Sequence, residues 1–427
     1  MSASDTRRPT FREAFRFWLK LGFISFGGPT GQIAIMHKEL VERKRWISQS
    51  RFLHALNFCM LLPGPEAMQL AIYIGWLLHR VRGGIAAGVL FVVPSIFVLW
   101  LLSFIYVAYG AVSWVAAIFY GLKPAVTAIV VVAVIRIGRK ALRTPAMWGI
   151  AVAAFAAICF LHVPFPAIIL GAGLIGAALG WRKTPTGPGA GRLHDASGLS
   201  PSEKNSLGRV LRITAVCLVL WFAPVVLIGA LRGWNSTLFQ ESIFFSKAAV
   251  VTFGGAYAVL PYVAQQALFH YGWLQPGQMM DGLGLAETTP GPLIMVLQFV
   301  GFVGAWQHPE GLSPLVAATI GALLTTWVTF TPCFLWVLAG APYIERLRDN
   351  TRLTSALSAV TAAVVGVILN LAVWFAAHVF VPASGTVDWY AIGLCAAALL
   401  AMLRFNTGII LVIVGGGLAG LLVQFVR

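Results

Sequence analysis

Residues 59–76 read CMLLPGPEAMQLAIYIGW. The run is apolar enough for a lipid bilayer, yet Pro63, Gly64, Pro65 and Glu66 lie near its middle. Proline removes a backbone donor and clashes with the preceding helical turn. A carboxylate in hydrocarbon is costly to ionise. A membrane helix is therefore expected to break here.

The remainder of the chain sets the context. Of 427 residues, 59% are hydrophobic and 10% charged, against about 25% charged in soluble domains. Apolar runs recur at 17–36, 53–78, 84–109, 112–135, 146–162, 164–181 and 210–231. They continue at 243–262, 281–304, 313–340, 354–381, 388–403 and 406–425. Most approach the roughly 20 residues of a membrane span, so the class is an all-α polytopic integral membrane protein. The start MSASDTRRPTFREAFRFWLK is too charged for a cleaved signal peptide and is expected to stay attached and cytoplasmic. The net charge of +16 resides mostly in loops, as the positive-inside rule predicts, so no nucleic-acid partner is expected.

The broken stretch has a partner. LAETTPGPLIMVLQFVGF, from Leu285, places Pro290, Gly291 and Pro292 in a second apolar run, at a shift of 290 − 63 = 227. The same shift maps Phe26, Gly27 and Gly28 onto Phe253, Gly254 and Gly255. It also maps Phe17 onto Phe244, Lys20 onto Lys247, Trp46 onto Trp273 and Leu56 onto Leu283. The chain is an internal duplication: an N-terminal membrane repeat over 11–181, a Gly/Pro/Ser-rich cytoplasmic linker over 182–209, a connecting helix over 210–231 and a C-terminal repeat over 243–425.

Loop charge orients the halves. Lys38, Arg43, Lys44, Arg45 and Arg51, then Arg80 and Arg82, mark two first-half loops, whereas the equivalent loops after 262 and 304 carry no Lys or Arg. The first pair is expected inside and the second outside. Five plain spans between the PGP elements also invert the second copy, giving two inverted-topology repeats. Because both basic loops flank 53–78, that segment and 17–36 are expected to be re-entrant hairpins, mirrored at 281–304 and 243–262. Full-span but broken helices are the alternative.

Irregular backbone at membrane depth must line protein or a water-filled cavity. It frees amides at the positive end of a half-helix, a place for an anion. The candidate substrate-binding set is therefore Phe26, Gly27, Gly28, Pro63, Gly64, Pro65, Phe253, Gly254, Gly255, Pro290, Gly291 and Pro292. Lys20, Lys247 and the mid-segment Lys123 are its candidate cations, and Glu66 and Glu287 its candidate proton carriers. Asn57, Gln69, Thr288, Thr289 and Gln298 could add hydrogen bonds. The competing reading gives Gly and Pro to kinks and close packing, the terminal-repeat lysines to interface snorkelling, and Glu66 to a helix N-terminus.

Other searches exclude chemistry. The five scattered cysteines show no metal or disulfide spacing. GxxxxGK[ST] and HExxH do not occur, so no enzyme, catalytic residue, metal or cofactor is expected. An enzyme acting on a phosphorylated lipid would have to use His54, Glu66, Asp281 or Glu287. GGGLAG at 415–420 and the Gly176–Gly180 spacing fit close helix packing, within the chain or across a homodimer.

FGGPTGQIAIMHKELVERKRWIS, LLPGPEAMQLAIYIGWLLHRVRGGIAAGVLFVVPS, TFGGAYAVLPYV and ETTPGPLIMVLQFVGF together resemble the chromate transporter family in its long-chain, two-domain form. The resemblance spans about residues 11–425. It implies gradient-driven efflux of chromate across the bacterial inner membrane, giving chromate resistance, with protons as the coupling ion and the bilayer as surroundings. Sulfate or another tetrahedral oxyanion as cargo, or an anion channel on the same elements, are the alternatives.

Overall fold

The computed structural model describes residues 8–181, 207–340, 351–382 and 385–426. Most of the expected linker, 182–206, lies outside them. All regular structure among the described residues is helical, and five helices are long and apolar enough to cross a membrane.

The first repeat opens with α1 (Phe11–Ile24), started by a capping box in which Thr10 Oγ1 accepts from the Glu13 amide while Glu13 accepts from the Thr10 amide. The helix stops at the Phe26-Gly27-Gly28 break. There α2 (Gly28–His37) begins and runs into one π-helical turn, Lys38–Arg43. The chain reverses at this break, for Trp46 packs edge-on against Phe17, 5.5 Å between ring centres. α3 (Gln49–Cys59) follows, capped by Ser48, then the PGP break and α4 (Glu66–Tyr109).

α4 is two antiparallel limbs. At His79 and Arg80 the backbone leaves helical geometry, with Arg80 at φ +54°. Beyond it Gly83 packs against Gly75 so closely that a Cβ on Gly83 would lie 2.2 Å from the Gly75 carbonyl oxygen. HRVRGG thus makes a turn tight enough to need both glycines. His79 Nε2 lies 3.0 Å from the Pro9 carbonyl oxygen, so the α4 turn meets the start of α1. α5 (Ser113–Ala141), α6 (Pro145–Cys159) and α7 (Phe165–Trp181) complete the repeat, and α8 (Leu207–Arg232) connects it to the second. α8 turns Leu211, Val219 and Leu227 outward, an apolar face suited to lipid.

The second repeat repeats the order: α9 (Thr237–Val251), α10 (Ala256–Gln265) with a π turn at Gln266–His270, and α11 (Pro276–Thr288). After its PGP break come α12 (Val296–Gln307), α13 (Pro314–Gly340), α14 (Thr351–Phe380), α15 (Trp389–Arg404) and α16 (Ile409–Val426). Even the π turn recurs. Here too the chain returns on itself: Phe244 meets Trp273 at 5.7 Å, and Gly282 of α11 lies against the Phe299 ring of α12.

α9 starts six residues before the expected apolar run at 243, because Ser236 caps it by accepting from the Phe239 amide and the polar stretch Gln240, Glu241 and Ser242 is nevertheless helical. α5 runs six residues past 135, carrying Arg136, Arg139 and Lys140 on its last turns.

The repeats exchange partners. α5 packs on α15 and α16, and α14 packs on α6 and α7. Glycines mark both crossings: Gly121 against Gly416 and Gly420, and Gly176 against Ala359. The GGGLAG run and the Gly176–Gly180 pair thus make helix contacts within the chain.

Candidate functional site

The FGG break of each repeat meets the PGP break of the other. The Gly64 amide donates to the Thr252 carbonyl at 2.7 Å, and the Gly291 amide donates to the Ser25 carbonyl at 2.7 Å. Ser25 and Thr252 are themselves related by the shift of 227. Their hydroxyls cap the broken helices alike, donating to the Leu21 and Ala248 carbonyls at 2.6 Å. A single hydrogen bond is thus made twice, in opposite senses.

Side chains secure both junctions. Gln32 Nε2 donates to the Gly291 carbonyl at 2.5 Å and the Ser25 carbonyl at 3.3 Å. Ser95 Oγ donates to the Pro290 carbonyl. On the other side Gln69 Nε2 donates to the Pro63 carbonyl at 2.6 Å, and Cys333 Sγ faces Gly64. Ser95 and Cys333 occupy corresponding places, each directly after a helix-interior proline, Pro94 or Pro332. Gly64 and Gly291 sit at φ +121° and +102°, the region that favours glycine.

The Gly64 and Gly291 amides are spent on these bonds. Gly27, Gly28, Gly254 and Gly255 all have positive φ. A Cβ built on Gly27, Gly28 or Gly255 would meet nothing within 4 Å. Open space therefore adjoins the starts of α2 and α10, where first-turn amides and the helix dipole favour an anion. Pro65 and Pro292 stand one residue before the segments they introduce.

Of the candidate charges, Glu287 is the most enclosed. It is buried and accepts a short hydrogen bond from the Tyr257 hydroxyl; Tyr257 stands two residues after Gly255, so the carboxylate bridges a PGP approach to an FGG turn. Glu66 opens α4, partly buried, and Lys140 of α5 acts on it electrostatically. Lys123 is drawn aside: its Nζ lies 3.7 Å from Asp281 Oδ2, which also accepts from the Tyr106 hydroxyl at 3.0 Å. Lys247 is exposed. Lys20 is exposed too and lines a cleft of about 490 Å³ with Arg16, Arg43 and Lys44, and with Glu13 and Glu39. Lys44 Nζ lies 5.0 Å from the Trp46 ring centre, within cation–π range.

The polar neighbours are mostly engaged structurally. Thr288 and Thr289 both donate to the Leu285 carbonyl, and Gln298 donates to the Ile96 carbonyl. Asn57 is exposed. Among the described residues no group of three or more His, Cys, Asp or Glu could hold a metal. Ser25, Thr252, Gln32, Ser95, Cys333 and Tyr257 were not singled out by sequence. The hydroxyl kept at 25 and 252 was a signal available to the repeat alignment; the others become visible only when the halves are assembled.

The family profile described as "Chromate transporter" matches residues 12–177 and 239–421. A chromate transport protein of Pseudomonas aeruginosa is 34% identical over 424 residues, covering 97% of this chain and 92% of that one. A chromate transport protein of Cupriavidus metallidurans is 29% identical over 84% of this chain and 81% of its own. A probable chromate transport protein of Synechococcus elongatus is 28% identical, over 85% and 84%. No solved structure matches the chain.

Proposed function

The chain belongs to the chromate transporter family, and from that premise we propose that it exports chromate across the bacterial inner membrane by alternating access, coupled to the proton gradient. Its two repeats, 11–181 and 243–425, lie in opposite orientations, with the basic loops and the N-terminus cytoplasmic. The FGG–PGP pairs are re-entrant hairpins meeting at the midplane. The observation that carries the reading is the pair of exchanged bonds, Gly64 to Thr252 and Gly291 to Ser25. A junction built from two equivalent halves has two equivalent ways to open, one toward each face, which is what alternating access needs.

Chromate is a tetrahedral dianion. The amides opening α2 and α10, beside Gly27–Gly28 and Gly254–Gly255, supply preorganised donors without a side chain in the way. The cleft holding Arg16, Lys20, Arg43 and Lys44 raises the local concentration of a cytoplasmic dianion. Glu66 and Glu287 border the junction as carboxyls able to exchange a proton as the cavity alternates between water and protein.

The test is uptake of labelled chromate into inside-out vesicles, energised or treated with an uncoupler, with and without excess sulfate. Energy-dependent uptake that requires this protein is the expected result, with competition by sulfate because shape and charge are read together. Conductance without accumulation would make the protein an anion channel. Failure in energised, correctly oriented vesicles would remove export of chromate.

A further inference from the structure

One buried acid stands apart from this junction. Glu241 lies on α9 with its side chain fully enclosed. Neither carboxylate oxygen has a hydrogen-bond partner in the structure. Space for it comes from two glycines: a Cβ on Gly304 of α12 would fall 2.5 Å from Oε1, and one on Gly321 of α13 would fall 2.9 Å from Oε2. The acid is therefore held between two helix backbones. Enclosure without a donor disfavours the carboxylate against the neutral acid.

Polar and charged groups lie around the acid. Thr237, one turn earlier on α9, donates its amide and hydroxyl to Glu310 Oε1 at 2.9 and 2.7 Å. Glu310 is exposed in the loop between α12 and α13, and it interacts electrostatically with Glu241. Arg232 of α8 donates to the Glu310 carbonyl. His308, exposed at the end of α12, has Nδ1 3.1 Å from the Gly304 carbonyl oxygen. The Trp273 ring closes the inner side against Gly304. From α13, Thr325 Oγ1 lies against Gly301 and is likewise without a partner.

The first repeat has no such acid: the position matching Glu241 under the shift of 227 is Ala14. The pocket is joined to the junction, because α9 runs directly to the Thr252 carbonyl that holds Gly64.

We propose that Glu241 is a third proton-binding carboxyl, required for coupling in addition to Glu66 and Glu287 and loaded from the external face through Glu310. The proposal rests on the transporter reading above. It places the ion site in one repeat and the basic anion-collecting cleft on the other, so proton and cargo approach from opposite faces.

The experiment uses the full-length protein reconstituted in liposomes, as wild type, Glu241→Gln and Glu241→Asp. An imposed gradient of one pH unit sustains roughly a tenfold chromate ratio per coupled proton. Wild type and Glu241→Asp are expected to accumulate chromate. Glu241→Gln is expected to lose accumulation while keeping chromate counterflow within about twofold, a factor worth under half a kcal/mol. Infrared spectra give a second readout independent of cargo: a protonated-carboxyl stretch present in wild type, absent in Glu241→Gln and titrating with pH. Undiminished accumulation in Glu241→Gln, or equal loss of counterflow and accumulation in a folded variant, overturns the proposal. If wild type moves no chromate, the transport reading fails, and the infrared band alone decides: a titrating Glu241 band keeps the proton site, and its absence removes it.

Discussion

At Gly291 two constraints act on one Cα. The backbone stands at φ +102°, and a Cβ would fall 1.8 Å from Ser95 Oγ. Gly291→Ala is expected to cost about 1–2 kcal/mol for the left-handed backbone and a further 1–3 for overpacking. A lowered melting temperature in detergent checks this. Gly28 makes the contrast. Its φ is +70°, but nothing lies within 4 Å of a Cβ there. Gly28→Ala should therefore fold with only the backbone penalty while raising the KM for chromate, because the methyl occupies the approach to the α2 amides. Vesicle uptake against chromate concentration separates these outcomes. The two glycines look alike in sequence, since each sits in a Gly/Pro cluster. What distinguishes them is contributed by residues from distant parts of the chain.

Between elements, the decisive charges are those that hold helices together. Lys123 on α5 and Asp281 on α11 form a pair in which the carboxylate is only 5% exposed. Lys123→Met leaves that carboxylate without its cation and is expected to destabilise by about 3–5 kcal/mol. The double variant Lys123→Met, Asp281→Leu should recover part of the loss, which a double-mutant cycle on thermal melting would measure. The sequence marked Lys123 as an intramembrane cation, and Asp281 appeared only as an enzyme candidate. Their pairing was not legible because nothing local links α5 to α11. At the α7–α14 crossing, Gly176→Leu drives a side chain toward Ala359, already 2.5 Å from a Cβ at 176. Reduced melting temperature with unchanged affinity for chromate in the surviving protein is the expected pattern.

Across the whole molecule, hydropathy made the all-helical membrane class readable and the shift of 227 marked the paired breaks, because apolar runs and Gly/Pro breaks are properties of short windows. The start of α9 escaped because Gln240, Glu241 and Ser242 interrupt its apolar run and a hydropathy window sees no span there. The exchange of partners escaped for another reason: helix surfaces rich in Ala, Val and Gly fit many neighbours, so composition does not select α15 and α16 for α5. Orientation is directly testable. In a cysteine-free background, Ser50→Cys and Arg80→Cys should react with an impermeant thiol reagent from one side only. His270→Cys and Gly311→Cys should react from the opposite side. Any split within either pair would refute the hairpin geometry.

The bonds from Gly64 to Thr252 and from Gly291 to Ser25 run between main-chain atoms. Changes of side chain around this junction can therefore leave the contacts themselves in place. Truncating a side chain removes neither bond, since no side chain carries them. Replacing the amide by an ester at residue 64 or 291 deletes one donor and leaves every side chain in place, so backbone chemistry is the way to interrogate the centre of this protein.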